Sequence, residues 1–330
     1  MLELLAPAGS PEAVTAAVQA GADAVYLGYG DFNARRNAKN FSLEELAAAV
    51  SYCHVRGAKV FLTLNTLVSD RELPAAARTA AEAAEAGVDA VLIQDLGVLR
   101  MLRQVAPRLA VHGSTQLTVH SLDGVRRCAE LGMARVVLSR ELSRDAIEHI
   151  CLNSPIEIET FVHGALCMCY SGQCFFSSVI GGRSGNRGLC AQPCRLKYGW
   201  GNKADGSPLS LKDMSLAGHL RELRKMGVAC VKIEGRMKSP RYTAGVVSIY
   251  RKYVDLYLKE GRAGYHVEKA DRDALLALFD RGGQSQGYYH THNGRDMVVL
   301  KEKPAFREPD QELFDHLDRT YVDAVKKEPI

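Results

Sequence analysis

Five cysteines stand within 28 residues of this 330-residue chain, Cys167, Cys169, Cys174, Cys190 and Cys194, and a sixth, Cys230, follows in the segment CVKIEGR. Thiolates gathered in this way ligate a metal or cluster, or pair as disulfides. Six residues separate Cys167 from Cys174, with Tyr170-Ser171-Gly172 making a turn between them, and three separate Cys190 from Cys194. Structural zinc favours two closely spaced cysteine pairs; Cys190–Cys194 has that spacing, and Cys167–Cys174 is too widely spaced. Ligands dispersed over a loop and a returning strand are more typical of a [4Fe–4S] cluster, with zinc as the alternative. The separate Cys53, Cys128 and Cys151 fall on apolar helix positions and read as core.

Charged and polar residues gather around the same loop. His163 precedes it and can act as an acid/base group or as a donor to a cluster sulfur; the plainer reading has it satisfying buried backbone. Glu159, on the same strand, is a buried-carboxylate candidate. Lys232, Glu234 and Arg236 alternate, so a period of two puts them on one strand face. Three charges against a helix shell would be costly, so they are expected to point into a barrel mouth, ion-paired and able to bind an anionic substrate. Asn65, Gln94, Asp95, Gln116 and Arg140 all end strands and are expected to contact substrate. Arg35, Arg36 and Lys39 lie between Phe32 and Phe41, while Arg183, Arg187, Arg195 and Lys197 lie close to Tyr198 and Trp200. Basic groups interleaved with aromatics suit phosphate contacts and base stacking, against the plainer reading of a solvated surface.

The elements that must position these groups repeat with little variation. Short apolar strands are expected at 2–8, 24–29, 59–65, 90–95, 109–117, 135–140, 156–162 and 230–235, each followed by an amphipathic helix. Ser10, Ser42 and Ser143 read as helix N-caps, and Gly21, Gly57, Gly87, Gly132 and Gly227 as helix stops. Eight such units predict an α/β fold, a (β/α)8 TIM-type barrel over residues 1–262, rather than an open doubly wound sheet. The cysteine-rich loop, 163–200, leaves the C-terminal end of the seventh strand, the face that carries chemistry in such barrels. Residues 263–330 read as an appended segment too small for a core of its own.

Composition sets bounds on the class. Lysine plus arginine number 42 against 38 acidic residues, a net charge of +4, which permits an anionic partner without demanding one. No run approaches a membrane span and the first residues lack the form of a signal peptide, so a cytoplasmic protein without a membrane partner is expected. In a reducing compartment clustered cysteines are ligands more often than disulfides. A peptidase reading finds no HExxH and no GxSxG motif; His163 beside Cys167 is the only local nucleophile–base candidate.

The stretches FVHGALCMCYSGQC, GNRGLCAQPCR and KIEGRMKSPRY closely resemble the signature of the U32 family of collagenase-like peptidases. The likeness runs from ELLAPAGSPE to LFDRGGQSQGYY. It implies kinship with RNA hydroxylases acting on 23S rRNA cytidine or on tRNA wobble uridine, and with oxygen-independent ubiquinone-pathway hydroxylases. It further implies a [4Fe–4S] cluster on Cys167, Cys174, Cys190 and Cys230, with Cys194 as the rival for the fourth place. Prephenate is the implied co-substrate and RNA, not DNA, the implied partner; a peptidase activity and a role as one subunit of a hydroxylase complex are the alternatives. In the rRNA-type branch a further domain follows the LFDRGG…GYY segment, so a truncated or short member is expected where this sequence reaches KKEPI.

Overall fold

Eight parallel strands close on themselves in the computed structural model, which describes residues 2–35, 40–200, 203–260, 265–291, 294–299 and 310–323. The first seven are β1 (Glu3–Pro7), β2 (Ala24–Leu27), β3 (Lys59–Leu64), β4 (Ala90–Ile93), β5 (Ala110–Gly113), β6 (Arg135–Val137) and β7 (Glu157–Gly164). A hairpin of β8 (Tyr198–Trp200) and β9 (Lys203–Gly206) and the short β10 (Asp213–Ser215) come next. The eighth barrel strand, β11 (Cys230–Ile233), follows them, and β12 (Gln284–Ser285) comes last. Each barrel strand pairs in parallel with the next, and β11 pairs with both β7 and β1. That closure makes the chain a (β/α)8 barrel, and the open sheet is excluded.

Local chemistry explains the alternation. Leu4, Leu5, Val25, Leu27, Val60, Leu62, Val91 and Ile93 are buried, as expected for parallel strands covered by helices on one face and packed against one another on the other. Ser10 accepts a hydrogen bond from the Ala13 N–H at the start of the helix Pro11–Gln19. Ser42 and Glu45 form a reciprocal capping box at the start of Leu43–Val55, closing two otherwise orphaned donors. The five glycines expected as helix stops all have positive φ, the conformation that turns the chain back toward the next strand.

Two departures from regular geometry shape the site. β7 carries a bulge against β11: Lys232 faces Phe161, but the next residue, Ile233, faces His163, leaving Val162 as the extra residue. Beyond the bulge the inward–outward alternation of β7 is shifted by one. Secondly, β7 outruns its neighbours, and β10 pairs antiparallel with its last two residues while β12 extends β10 in parallel. The described part of residues 263–330 therefore lies on the barrel. The helix Lys269–Leu278 brings Leu278 against Gly245 of the helix Pro240–Glu260. Further on, Arg241 pairs with Asp318, and Gln19 donates to the Tyr321 carbonyl at 3.3 Å.

Candidate active site at the barrel mouth

The inside of the barrel is polar, and its charges are stacked in two tiers. In the lower tier Arg135 reaches Glu3 at 2.5 Å, Glu157 at 2.7 Å and Glu159 at 3.4 Å, while Lys232 Nζ contacts Glu159 at 2.9 Å. Burial alone would raise the Glu159 pKa; Lys232 and Arg135 outweigh it and hold the carboxyl below its ordinary range. Lys232 Nζ also lies 4.4 Å from the centre of the Tyr26 ring, a cation–π contact.

The upper tier is the floor of a cavity of about 570 Å3 that opens at the C-terminal face. Glu234 holds Arg35 at 2.9 Å with one oxygen and Arg140 at 3.1 Å with the other. Burial pushes its pKa up, but Arg35 and Arg140 outweigh that and keep the carboxylate ionised. Arg236 donates to Thr63 and Asn33, and its position leaves no room beside it: a Cβ on Gly9 would stand 2.0 Å from the Arg236 carbonyl oxygen, and one on Gly28 would stand 2.6 Å from its Nη1. Asn65 bridges the Ala34 N–H at 3.0 Å and Ser114 Oγ at 3.1 Å. Lys232, Glu234, Arg236, Arg35, Asn65, Gln116 and Arg140 all line this cavity.

The cysteine loop forms the opposite wall. Cys167, Cys174 and Cys190 line the cavity, and Cys194 stands close enough to all three for their charges to act on it. Burial raises the Cys194 thiol, with Arg195 opposing. Ser177 Oγ lies 3.7 Å from Cys190 Sγ, and the Gln192 N–H donates to the same sulfur at 3.3 Å. All nine cysteines are free thiols. The loop is seated by Gly172, whose φ of +83° is open to glycine and whose Cβ, if present, would meet the Gln116 carbonyl oxygen at 2.2 Å. Thr118 and Arg195 tie it down further, Thr118 Oγ1 to the Ser171 carbonyl at 2.8 Å and Arg195 to the Leu211 carbonyl at 2.8 Å.

Several expected site residues stand elsewhere. Cys230 is fully buried at the start of β11, paired with Glu3 and Glu159; it lies four residues below Glu234, about 13 Å along a strand. It is therefore not brought to the other cysteines, and Cys194 is the sulfur that joins them. His163 is a second correction. The bulge turns it out of the barrel, where its Nδ1 lies 3.3 Å from the Tyr250 hydroxyl, and burial lowers its pKa to about 3. Replacing it with alanine is expected to cost about 1–3 kcal/mol of stability through the exposed cavity and lost contact, with turnover per folded molecule unchanged, measured by urea unfolding beside an activity assay. Glu159 is inside the barrel but beneath the cavity, behind Lys232.

Asp95 caps the helix Leu96–Val105, accepting from Gly97 and Val98, and also takes the Val68 N–H; all of that is structural. Gln94 is buried outside the cavity wall. Arg187 pairs with Glu72 and so ties the cysteine loop to the helix Leu73–Glu85. Arg36 lies outside the described residues. Sequence reasoning missed one flank of the cavity, formed by Asp213, Lys238, Tyr242, Phe279 and Arg281. Arg281 pairs with Asp213 at 3.2 Å, and burial, with Arg281 beside it, lowers Lys238 to about 8. Lys238 and Tyr242 were within reach, since both fall inside KIEGRMKSPRY.

A parallel barrel with a charged mouth and a wall of thiols gives this protein the TIM-barrel enzyme architecture, with a cysteine-rich loop after β7. The sequence model of peptidase family U32 matches residues 9–298, and the chain belongs to that family. It is 40% identical over 265 residues to the 23S rRNA 5-hydroxycytidine C2501 synthase of Escherichia coli (strain K12), covering 78% of this chain and 40% of that protein. To tRNA hydroxylation protein P1 of Bacillus subtilis (strain 168) it is 36% identical over 299 residues, 84% of this chain and 71% of that one. A collagenase of Porphyromonas gingivalis is 34% identical over 310 residues, covering 87% and 73%. The chain thus spans less than half the length of the first of these relatives. A solved U32 peptidase, Mk0906, superposes with a TM-score of 0.50 at 16% identity over 71% of this chain and 94% of that one, a likeness of fold. Among the described residues no helix is long and apolar enough to cross a membrane.

Proposed function

We propose that this protein is an iron–sulfur-dependent, oxygen-independent hydroxylase of an RNA base, a 23S rRNA cytidine or a tRNA wobble uridine, working in the cytoplasm. The observation that carries the reading is the convergence of four cysteines, Cys167, Cys174 and Cys190 on one wall of a cavity whose other wall is cationic and Cys194 close to all three. Four thiols, an N–H donor to Cys190 Sγ and the nearby Arg35 and Arg195 are a donor set that fits a [4Fe–4S] cluster. When bound, such a cluster would relay electrons in the conversion of C–H to C–OH, for which a co-substrate other than dioxygen must supply the oxygen atom and take up the two electrons.

The chain's own residues do the binding. Thr115 Oγ1, Ser171 Oγ and Arg140 Nε are buried in the cavity wall and make no hydrogen bond within the described residues; buried polar groups are rarely left so, and they suit a polar ligand. Tyr26, Phe161, Tyr242 and Phe279 give that ligand flat walls, as an extruded base requires. Arg35, Arg140, Lys238 and Arg281 outnumber Glu234 and Asp213 there, which favours a carboxylate co-substrate such as prephenate. Around the rim Met168, Tyr170, Phe175, Val179, Ile180 and Leu196 are exposed beside Arg183 and Lys197, a mixture suited to bases and phosphates of RNA. A partner subunit would find the same surface.

Nucleoside mass spectrometry of rRNA and tRNA from cells lacking the gene tests the proposal. One hydroxylated pyrimidine is expected to disappear and to return with the wild-type gene. Glu234→Gln, which loosens the Arg35 and Arg140 clamp, is expected to restore it with a rate lower by about 100-fold, the scale of losing positioned groups. Unaltered RNA, together with peptide hydrolysis that persists in iron-free protein and is lost in Cys167→Ala, would instead establish a peptidase.

A further inference from the structure

On the outside of the barrel, away from the cavity, two histidines and a carboxylate meet. His219 is the residue before the helix Leu220–Met226 and Glu222 lies in its first turn. Three residues apart, they share a helix face, and His219 Nδ1 is 3.4 Å from Glu222 Oε2. His290 comes from the segment after β12. One ligand atom from each of the three lies within 4.8 Å of the others. His219 and Glu222 are half-buried and His290 is exposed, so His290 can rotate to close the set. Donors around a tetrahedral zinc stand about 3.5 Å apart, which asks for a movement of about 1 Å.

The surroundings hold the group in place. Tyr289 is buried, and its hydroxyl donates to Glu222 Oε2 at 3.1 Å. The Arg144 N–H donates to the Tyr289 carbonyl at 2.9 Å, fixing the backbone next to His290. The Arg144 side chain approaches Glu222 only to 3.8 Å and is itself paired with Asp145 at 2.8 Å and Glu148 at 3.0 Å, so its charge is already balanced. Beside Glu222 runs a groove of about 450 Å3 lined also by Arg144, Glu148, Arg221 and Lys225.

We propose that His219, Glu222 and His290 form a binding site for a divalent metal of the zinc class, with the fourth position open to that groove. Two imidazoles and one carboxylate suit zinc. Tyr289 is the outer partner that orients the carboxylate. The metal joins the segment after β12 to the helix before β11, and the open position takes water or an anion drawn by Arg221 and Lys225.

Zinc and cobalt(II) binding to the full-length chain, purified without oxygen, tests the site. Wild type is expected to take up one metal equivalent whose cobalt spectrum lacks thiolate charge transfer, and Cys167→Ala is expected to retain it. His290→Ala, an exposed position that leaves the core intact, is expected to weaken that equivalent by more than about 100-fold, and Tyr289→Phe by about 10-fold. Added zinc is expected to raise the unfolding midpoint of wild type and not of His290→Ala. Equal uptake by wild type, His290→Ala and Glu222→Gln overturns the proposal, as does uptake that disappears wholly with the cysteines. Neither result bears on RNA hydroxylation, because no residue of this site lines the barrel cavity.

Discussion

Cys194→Ala is expected to strip iron and sulfide from protein purified without oxygen, and Cys230→Ala to leave both in place. A cluster needs its thiolates within a few ångströms of one another, and Cys194 alone among the remaining cysteines feels Cys167, Cys174 and Cys190 together. Cys169 stands beside Cys174 and Cys167, but Cys190 is not among its neighbours there. Iron should therefore fall from about four per chain toward zero in Cys167→Ala, Cys174→Ala, Cys190→Ala and Cys194→Ala, and stay near four in Cys169→Ala. Cys230→Ala should lose about 1 kcal/mol of stability, the scale of a small buried truncation, because its sulfur packs inside the bottom of the barrel. Iron lost from Cys230→Ala while Cys194→Ala retains it would mean that β11 does not hold the register shown here. Iron and sulfide content with an absorption spectrum settles the matter for each variant.

Arg135→Met is expected to destabilise the barrel by about 3 kcal/mol, the low end of the cost of breaking a buried ion pair. Arg135 is 4% exposed and serves three carboxylates, of which Glu159 is fully buried and Glu3 partly so. Lys232 and Lys59 remain as partners, so the fold should survive and the loss should appear in the urea midpoint. Adding Glu159→Gln should recover part of it, since the second change removes a buried carboxylate left with one cation in place of two. A loss below about 1 kcal/mol would mean that water reaches this tier, as at an exposed pair.

The two tiers together set the acid limit of the fold. Glu3, Glu159 and Glu234 are held below the usual carboxylate range, burial opposing and arginine or lysine partners prevailing. A depressed carboxyl contributes stability that is fully present above its unfolded value, about 4.3, and is lost as pH falls through the lower folded value. His163 adds to this from higher pH: buried and neutral, with its pKa lowered to about 3, it favours the unfolded chain once pH drops below the ordinary histidine value. In Arg135→Met the carboxylate contribution should shrink, flattening the acid limb of stability against pH.

Much of this architecture was legible in the sequence because its causes are local. A serine before a helix satisfies orphaned N–H groups within three residues, and a glycine after one takes a left-handed φ; apolar runs of strand length need only their own composition. Repeated eight times, those signals leave a closed barrel as the natural arrangement, and the position of the cysteine loop at the end of β7 follows. Lys232, Glu234 and Arg236 were read into the mouth from a period of two and the cost of burying charge among helices, and they line it.

What tertiary structure decided depends on register and convergence. One extra residue in β7 turns His163 from the inside, where Glu159 and Phe161 point, to Tyr250 on the outside; a single-residue bulge leaves no mark in composition. Cys230 and Cys194 are equivalent as thiols in a motif. A rise of about 3.3 Å per residue along a strand puts the first at the foot of the barrel, while the fold of the loop brings the second to its mouth. Asp213, Phe279 and Arg281 reach the cavity only because β10 and β12 extend the sheet past β7, and that pairing joins segments about 70 residues apart with no local signal. The sequence by itself determined the barrel, its thiols and the charges they face. Only the closed fold, which fixes which side chains share one end of a strand, decided which of them can act together.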